Sequence, residues 1–77
     1  MPHVIIKMYP GRGEDIKKDL VQQIAKVIQD KTGCDDNSIS VSIEEIAAGE
    51  WPEKVYRPDI MEKANLLYKK PGYNPFE

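Results

Sequence analysis

The chain changes rhythm several times, and each change predicts a new element. Val4, Ile5 and Ile6 form a short β-branched run within residues 3–9. An unbroken apolar run of this length reads as a strand covered on both faces. Pro10-Gly11-Arg12-Gly13 is a loop by its turn residues. From Glu14 the period lengthens, with Ile16, Leu20, Val21, Ile24, Val27 and Ile28 recurring at three- and four-residue spacing. Lys17, Lys18, Gln22, Gln23, Lys26 and Gln29 fill the other positions, so this stretch is an amphipathic helix. Glu14 and Asp15 suit the positive end of its dipole, and Gly33 suits its C-terminal end.

After a connection at residues 35–38, Ile39, Val41 and Ile43 alternate with Ser40, Ser42 and Glu44. That is a strand with one covered face. A crossover through a helix this long permits parallel pairing of the two strands with a right-handed connection. Pro52 and Pro58 each suit the first turn of a helix and resist its interior. They predict a short helix over residues 52–57 and a second over 59–68, the latter striped by Ile60, Ala64, Leu67 and Tyr68. Lys69-Lys70-Pro71-Gly72 ends that helix, and the tail Tyr73–Glu77, polar with aromatics, is able to pack on a partner chain.

Length limits what this βαβ order can do alone. The 77 residues make one domain, 1–77, too small to bury a large core. One cysteine, Cys34, excludes an intrachain disulfide, and one histidine, His3, excludes a Cys/His zinc site. Association is the remaining support. Two strands and one long helix leave a sheet face and edges open. Two such units would pair into a four-stranded sheet with helices on one face. The expected fold class is therefore α+β: a βαβ unit with two parallel strands and a crossover helix, short C-terminal helices, and pairing across a dimer.

Charge narrows the partners. With 11 basic and 13 acidic residues the net charge is -2, which argues against nucleic-acid binding. No apolar run is long enough to span a membrane. Lys7 interrupts the first apolar stretch, so no signal peptide is read there. A free thiol without an export signal points to the cytoplasm.

Few residues offer chemistry. Initiator methionine is generally removed before a small second residue, and removal here would free the secondary amine of Pro2. An ordinary terminal amine titrates at about 7.7–8.0, and an apolar pocket or a nearby cation lowers that value. A neutral amine near its operating pH is a good general base. Taken alone, proline at position two is common and points to no chemistry. Only two of the 11 basic residues are arginines, Arg12 and Arg57. A guanidinium grips a carboxylate as a fork, so both are candidate anion ligands, against the plainer reading of solvated surface charge. Arg12 follows the far end of the first strand, so it would reach the Pro2 of a neighbouring chain rather than its own. Trp51, the single tryptophan, is either an apolar wall that keeps water from the amine or a core or interface anchor. His3 should point away from the face used by its neighbours, as a surface or interface residue. Cys34 has no histidine near it in sequence, and no G-x-S-x-G elbow makes Ser38, Ser40 or Ser42 a nucleophile. Glu44 and Glu45 are adjacent and so face opposite sides of a strand.

Taken together, Pro2 opening an apolar strand, Gly11-Arg12 before the long helix, the βαβ order and Trp51 resemble the 4-oxalocrotonate tautomerase family over roughly residues 2–51. The resemblance implies that Pro2 is the base, Arg12 the carboxylate ligand and Trp51 the apolar wall, with no cofactor and no metal. It departs at Ser40, where the family prototype carries a second arginine. A hydroxyl offers no charged fork, which argues against a dicarboxylate substrate. The longer C-terminal part, closing on Lys69-Lys70-Pro71-Gly72-Tyr73, is similar to the small PptA-type tautomerases. Those imply a homodimer, with a hexamer as the larger alternative, acting on phenylpyruvate-like enols. The expected function is enol–keto tautomerisation of a 2-oxo acid such as phenylenolpyruvate, with Pro2 catalytic and Arg12, Trp51, Ser40 and Arg57 as the candidate substrate-binding set. The alternatives are a hydration enzyme of the dehalogenase or decarboxylase kind, using a charged proline, and a non-catalytic dimeric binding module.

Overall fold

A computed structural model describes residues 1–77 and divides them into two units, Met1–Glu45 and Ile46–Glu77. The first unit is the expected βαβ. Strand β1 (His3–Met8) runs to helix α1 (Glu14–Thr32), and a single 3-10 turn at Asp36–Ser38 leads into strand β2 (Ser40–Glu45). The two strands pair in parallel, with His3 opposite Ser40, Val4 opposite Val41 and Ile6 opposite Ile43. Side chains alternate along a strand, so this register sorts them into two faces. Val41 and Ile43 line a groove with Glu14, Lys17, Lys18, Val21 and Gln22 of α1. Val4 and Ile6, their register partners, share the helix-covered face. His3, Ile5, Lys7, Ser40, Ser42 and Glu44 form the other face, where Ile5 is 55% exposed.

Within one chain, cover reaches a single face of β1. The apolar run in β1 suggested cover on both faces, but α1 shields only one. No side chain of this unit is fully buried.

Helix α1 begins without a side-chain cap at Gly13, and the Lys17 N–H donates to the Gly13 carbonyl at 3.2 Å. Glu14 and Asp15 occupy its first turn. It ends where the sequence places its stop. Gly33 takes φ +76° and donates its N–H to the Gln29 carbonyl at 2.9 Å. A left-handed residue here satisfies a carbonyl that the helix leaves open, and glycine adopts it without Cβ strain.

The second unit departs from the expected pair of helices. One π-helix spans Pro52–Met61 with Pro58 inside it, and its last turn closes by the Glu62 N–H donating to the Arg57 carbonyl five residues back at 3.0 Å. An α-helix excludes an interior proline because the ring strikes the carbonyl four residues earlier and the N–H is missing. The wider π turn moves that carbonyl, so Pro58 is carried through rather than starting a new helix. Beyond it only a 3-10 turn, Ala64–Leu66, remains of the expected 59–68 helix. Leu67 is extended, and Tyr68 is fully exposed instead of lying on an apolar stripe.

The tail packs on its own chain. The Tyr56 ring meets Tyr73 at 5.4 Å and Phe76 edge-on at 6.0 Å between centroids. The Tyr56 hydroxyl donates to the Tyr73 carbonyl at 3.0 Å. Val55 and Tyr56, at 4% and 7% exposure, are the buried side chains of the molecule. No helix is long and apolar enough to cross a membrane.

Candidate functional site

Pro2 sits half-buried at the start of the parallel ladder, and its carbonyl accepts the Ser40 N–H at 3.2 Å. The pairing thus reaches one residue beyond β1 and fixes the backbone of Pro2 at the N-terminal end of the sheet. Met1 is fully exposed. While Met1 is attached, the Pro2 nitrogen is an amide whose lone pair is delocalised into the carbonyl. Its removal would leave a secondary amine on an anchored residue.

Ser40 meets Pro2 through the backbone and His3 through the side chain. The Ser40 hydroxyl and His3 Nδ1 share a hydrogen bond of 2.6 Å, its direction set by the imidazole tautomer. Both residues lie on the face that α1 does not cover, which places His3 on the surface as expected.

Arg12 is exposed in the loop past the opposite end of β1. Gly11, just before it, has φ +125°, a conformation that a side chain resists and that turns the chain toward α1. The 6 residues of β1, about 20 Å long at ~3.3 Å per residue, lie between Pro2 and the loop that carries Arg12. One copy of the chain therefore does not bring these two groups together.

The tautomerase enzyme family model matches residues 2–53. The chain belongs to the tautomerase family. It is 37% identical over 73 residues to a probable tautomerase of Xylella fastidiosa, covering 95% of this chain and 89% of that one. Tautomerase PptA of Pectobacterium carotovorum is 37% identical over 75 residues, covering 96% of this chain and 99% of that one. Among solved structures, YwhB, described as a homologue of 4-oxalocrotonate tautomerase, superposes with a TM-score of 0.58 at 35% identity, over 60% of this chain and 75% of the other. The chain is accordingly an isomerase of the tautomerase kind, and its α+β fold is that of the 4-oxalocrotonate tautomerase homologues.

The remaining candidates of this tautomerase belong to the second unit. Trp51 is half-buried at the head of the π-helix, and its indole N–H donates to the Tyr73 hydroxyl at 2.7 Å. Arg57 is engaged within its own helix. Its Nε and Nη2 donate to the two Glu53 carboxylate oxygens at 2.9 and 3.2 Å, and its guanidinium lies 4.5 Å from the Phe76 ring centre. The hydrogen bond from Arg57 holds Glu53 below the usual carboxylate range, and Glu53 in turn raises Arg57. An Arg57 so paired is a poorer anion ligand than a free one, because its Nε edge is occupied and Glu53 offsets its charge. In the first unit the hydrogen bond from Lys17 lowers Glu14, and Lys17 is raised by Glu14 first and by Glu45 as well, at 3.0 and 3.3 Å. No group of three or more His, Cys, Asp or Glu side chains is gathered to hold a metal.

Tyr73 and Tyr56 are the residues that sequence reasoning passed over. The one available signal was the aromatic spacing of the tail, Tyr73 to Phe76, read there as contact with another chain.

Proposed function

We propose that the chain catalyses enol–keto tautomerisation of a 2-oxo acid, with the Pro2 amine as general base and phenylenolpyruvate as the test substrate. The observation that carries this reading is the position of Pro2. It is the first residue of the family match, and its carbonyl is anchored in the ladder. Once Met1 is removed, the neutral amine takes the enol hydroxyl proton. The O–H electrons become the new carbonyl bond, and the C=C pair accepts a proton at C3 from the prolinium. The amine returns neutral and nothing else is consumed. Arg12 holds the substrate carboxylate in forked geometry and comes from a second copy, since its own chain keeps it at the far end of β1. Trp51 supplies apolar surface that disfavours the charged amine and receives the apolar end of the substrate. Positioned proton transfer of this kind is worth roughly 10²–10⁴-fold in rate.

Ser40 favours a substrate with one carboxylate, because its hydroxyl is engaged by His3 and carries no charge. The assembly proposed is a homodimer in which two βαβ units form one four-stranded sheet, with residues 1–77 acting as one domain. The unpaired Cys34 fits a reducing compartment, and the cytoplasm is the proposed location.

The test is ultraviolet ketonisation of phenylenolpyruvate by the processed protein, by Pro2→Ala and by a form retaining Met1. The processed protein should exceed both others by at least ~10²-fold, and equal rates in all three would overturn the reading. Titration of the Pro2 amine by ¹⁵N NMR separates a base, with its pKa below an ordinary terminal amine, from the charged proline of a hydration enzyme, with its pKa above. A binding module would show no turnover in any form.

A further inference from the structure

Trp51 begins the π-helix with helical backbone angles, φ -55° and ψ -47°. Nothing in that backbone fixes the direction of its ring. A hydrogen bond that fixes it comes from a residue 22 positions later, where the Tyr73 hydroxyl accepts the indole N–H at 2.7 Å. An indole has one N–H, so this bond sets the ring's orientation about its side-chain torsions. Tyr73 is held independently of that hydroxyl. Its backbone carbonyl accepts the Tyr56 hydroxyl at 3.0 Å, its ring lies 5.4 Å from the Tyr56 ring, and Tyr56 is only 7% exposed. The tail is thus fastened by one tyrosine and reaches the tryptophan with another.

We infer that Tyr73 is a positioning residue of this tautomerase, which orients Trp51 and thereby tunes preference for substrates with a bulky apolar end. The inference rests on the proposed role of Trp51 as the apolar wall. An indole without this bond is held less closely to one rotamer, and only some rotamers present a face to an aryl group. The fastened one is ready before substrate arrives, so it loses less conformational freedom on binding.

Tyr73→Phe removes the acceptor and keeps the ring on Tyr56. Because the chain has one tryptophan, its indole N–H gives a single resonance that reports the bond directly. In Tyr73→Phe that resonance should move upfield and exchange faster with water. KM for phenylenolpyruvate should rise roughly 2- to 10-fold, the range of one net hydrogen bond. The kcat should hold, and KM for the enol of a short alkyl 2-oxo acid should stay unchanged. A purely structural role would lower the active fraction, reducing apparent kcat for both substrates and leaving KM alone. Trp51→Phe, measured alongside, separates the two claims. If it leaves aryl KM unchanged, the wall reading fails and the inference falls with it. If Trp51→Phe raises aryl KM while Tyr73→Phe does not, the wall stands and the positioning role of Tyr73 is overturned.

Discussion

Tyr56→Phe tests whether the second unit is held together as described. The substitution removes one hydroxyl that donates to the Tyr73 carbonyl at 3.0 Å. It keeps a ring of nearly the same size against Tyr73 and Phe76 at 5.4 and 6.0 Å. The cost is therefore one net hydrogen bond, about 1 kcal/mol. For a domain of this size that is a fall in Tm of about 4–8 °C. Tyr56→Ala removes the ring as well, which for a buried aromatic costs about 3–5 kcal/mol. The difference between the two variants is the packing of the tail, including the aromatic pairs at ~0.5–1.5 kcal/mol each. Urea unfolding measures both, at fixed protein concentration because association shifts apparent stability. Far-UV circular dichroism follows α1 and the strands, while Trp51 fluorescence reports the second unit. Coincident transitions would support one domain over residues 1–77, and separate transitions would refute it. A Tyr56→Phe loss as large as that of Tyr56→Ala would show that the ring contacts contribute nothing. A Tyr56→Ala loss below ~1 kcal/mol would refute the buried anchor itself.

The other expectations are narrower. Gly33→Ala should destabilise by about 1–2 kcal/mol, because φ +76° forces an L residue into the left-handed region. A Cβ there meets nothing within 4 Å, so the cost is backbone alone and Gly33→Asn should recover much of it, read by the same urea transitions. Glu14 and Glu53 titrate below the ordinary glutamate value in the folded chain, so their pairs contribute stability above about pH 4.3 that is lost as pH falls through the lowered values. Glu53→Gln should shallow that acid slope in urea titrations across pH, and a slope unchanged by the substitution would contradict the pairing. The effect should shrink in high salt, since both pairs are exposed.

Much of the first unit was legible because its physics is periodic. The spacing of Ile16, Leu20, Val21 and Ile24 sets a helix, the alternation of Val41 and Ile43 sets a strand, and Gly33 marks a stop. The strand bounds shift by a residue, to Met8 rather than Tyr9 and to Ser40–Glu45 rather than 39–44. The second unit was not legible for a reason that can be named. Pro58 was read with α-helical rules, under which it must open a helix, and the wider turn of a π-helix does not follow the three- and four-residue spacing those rules look for. Ile60, Ala64 and Leu67 carry the right spacing for an α-helix, but the chain leaves the helix after Met61. The aromatic residues that outweigh that stripe lie beyond it, at Tyr73 and Phe76, and their contacts with Tyr56 run across 17 and 20 positions (56 to 73 and 56 to 76).

The candidate site divides in the same way. Pro2, Arg12 and Trp51 were identifiable by residue type and order, whereas the partners that fix them were not. The Ser40 N–H on the Pro2 carbonyl depends on strand register, and the Tyr73 hydroxyl on Trp51 depends on a tail that turns back. Strand length also constrains the mechanism. Strand β1, about 20 Å long, sets Pro2 at one end and the Arg12 loop past the other, so on the proposed reading a site that uses both draws them from two copies. The same unit has no fully buried side chain, and Ile5 stands open on the uncovered face. Association would then complete the core and the site at once. On that reading, a base and a carboxylate ligand at opposite ends of one strand place the pocket between chains.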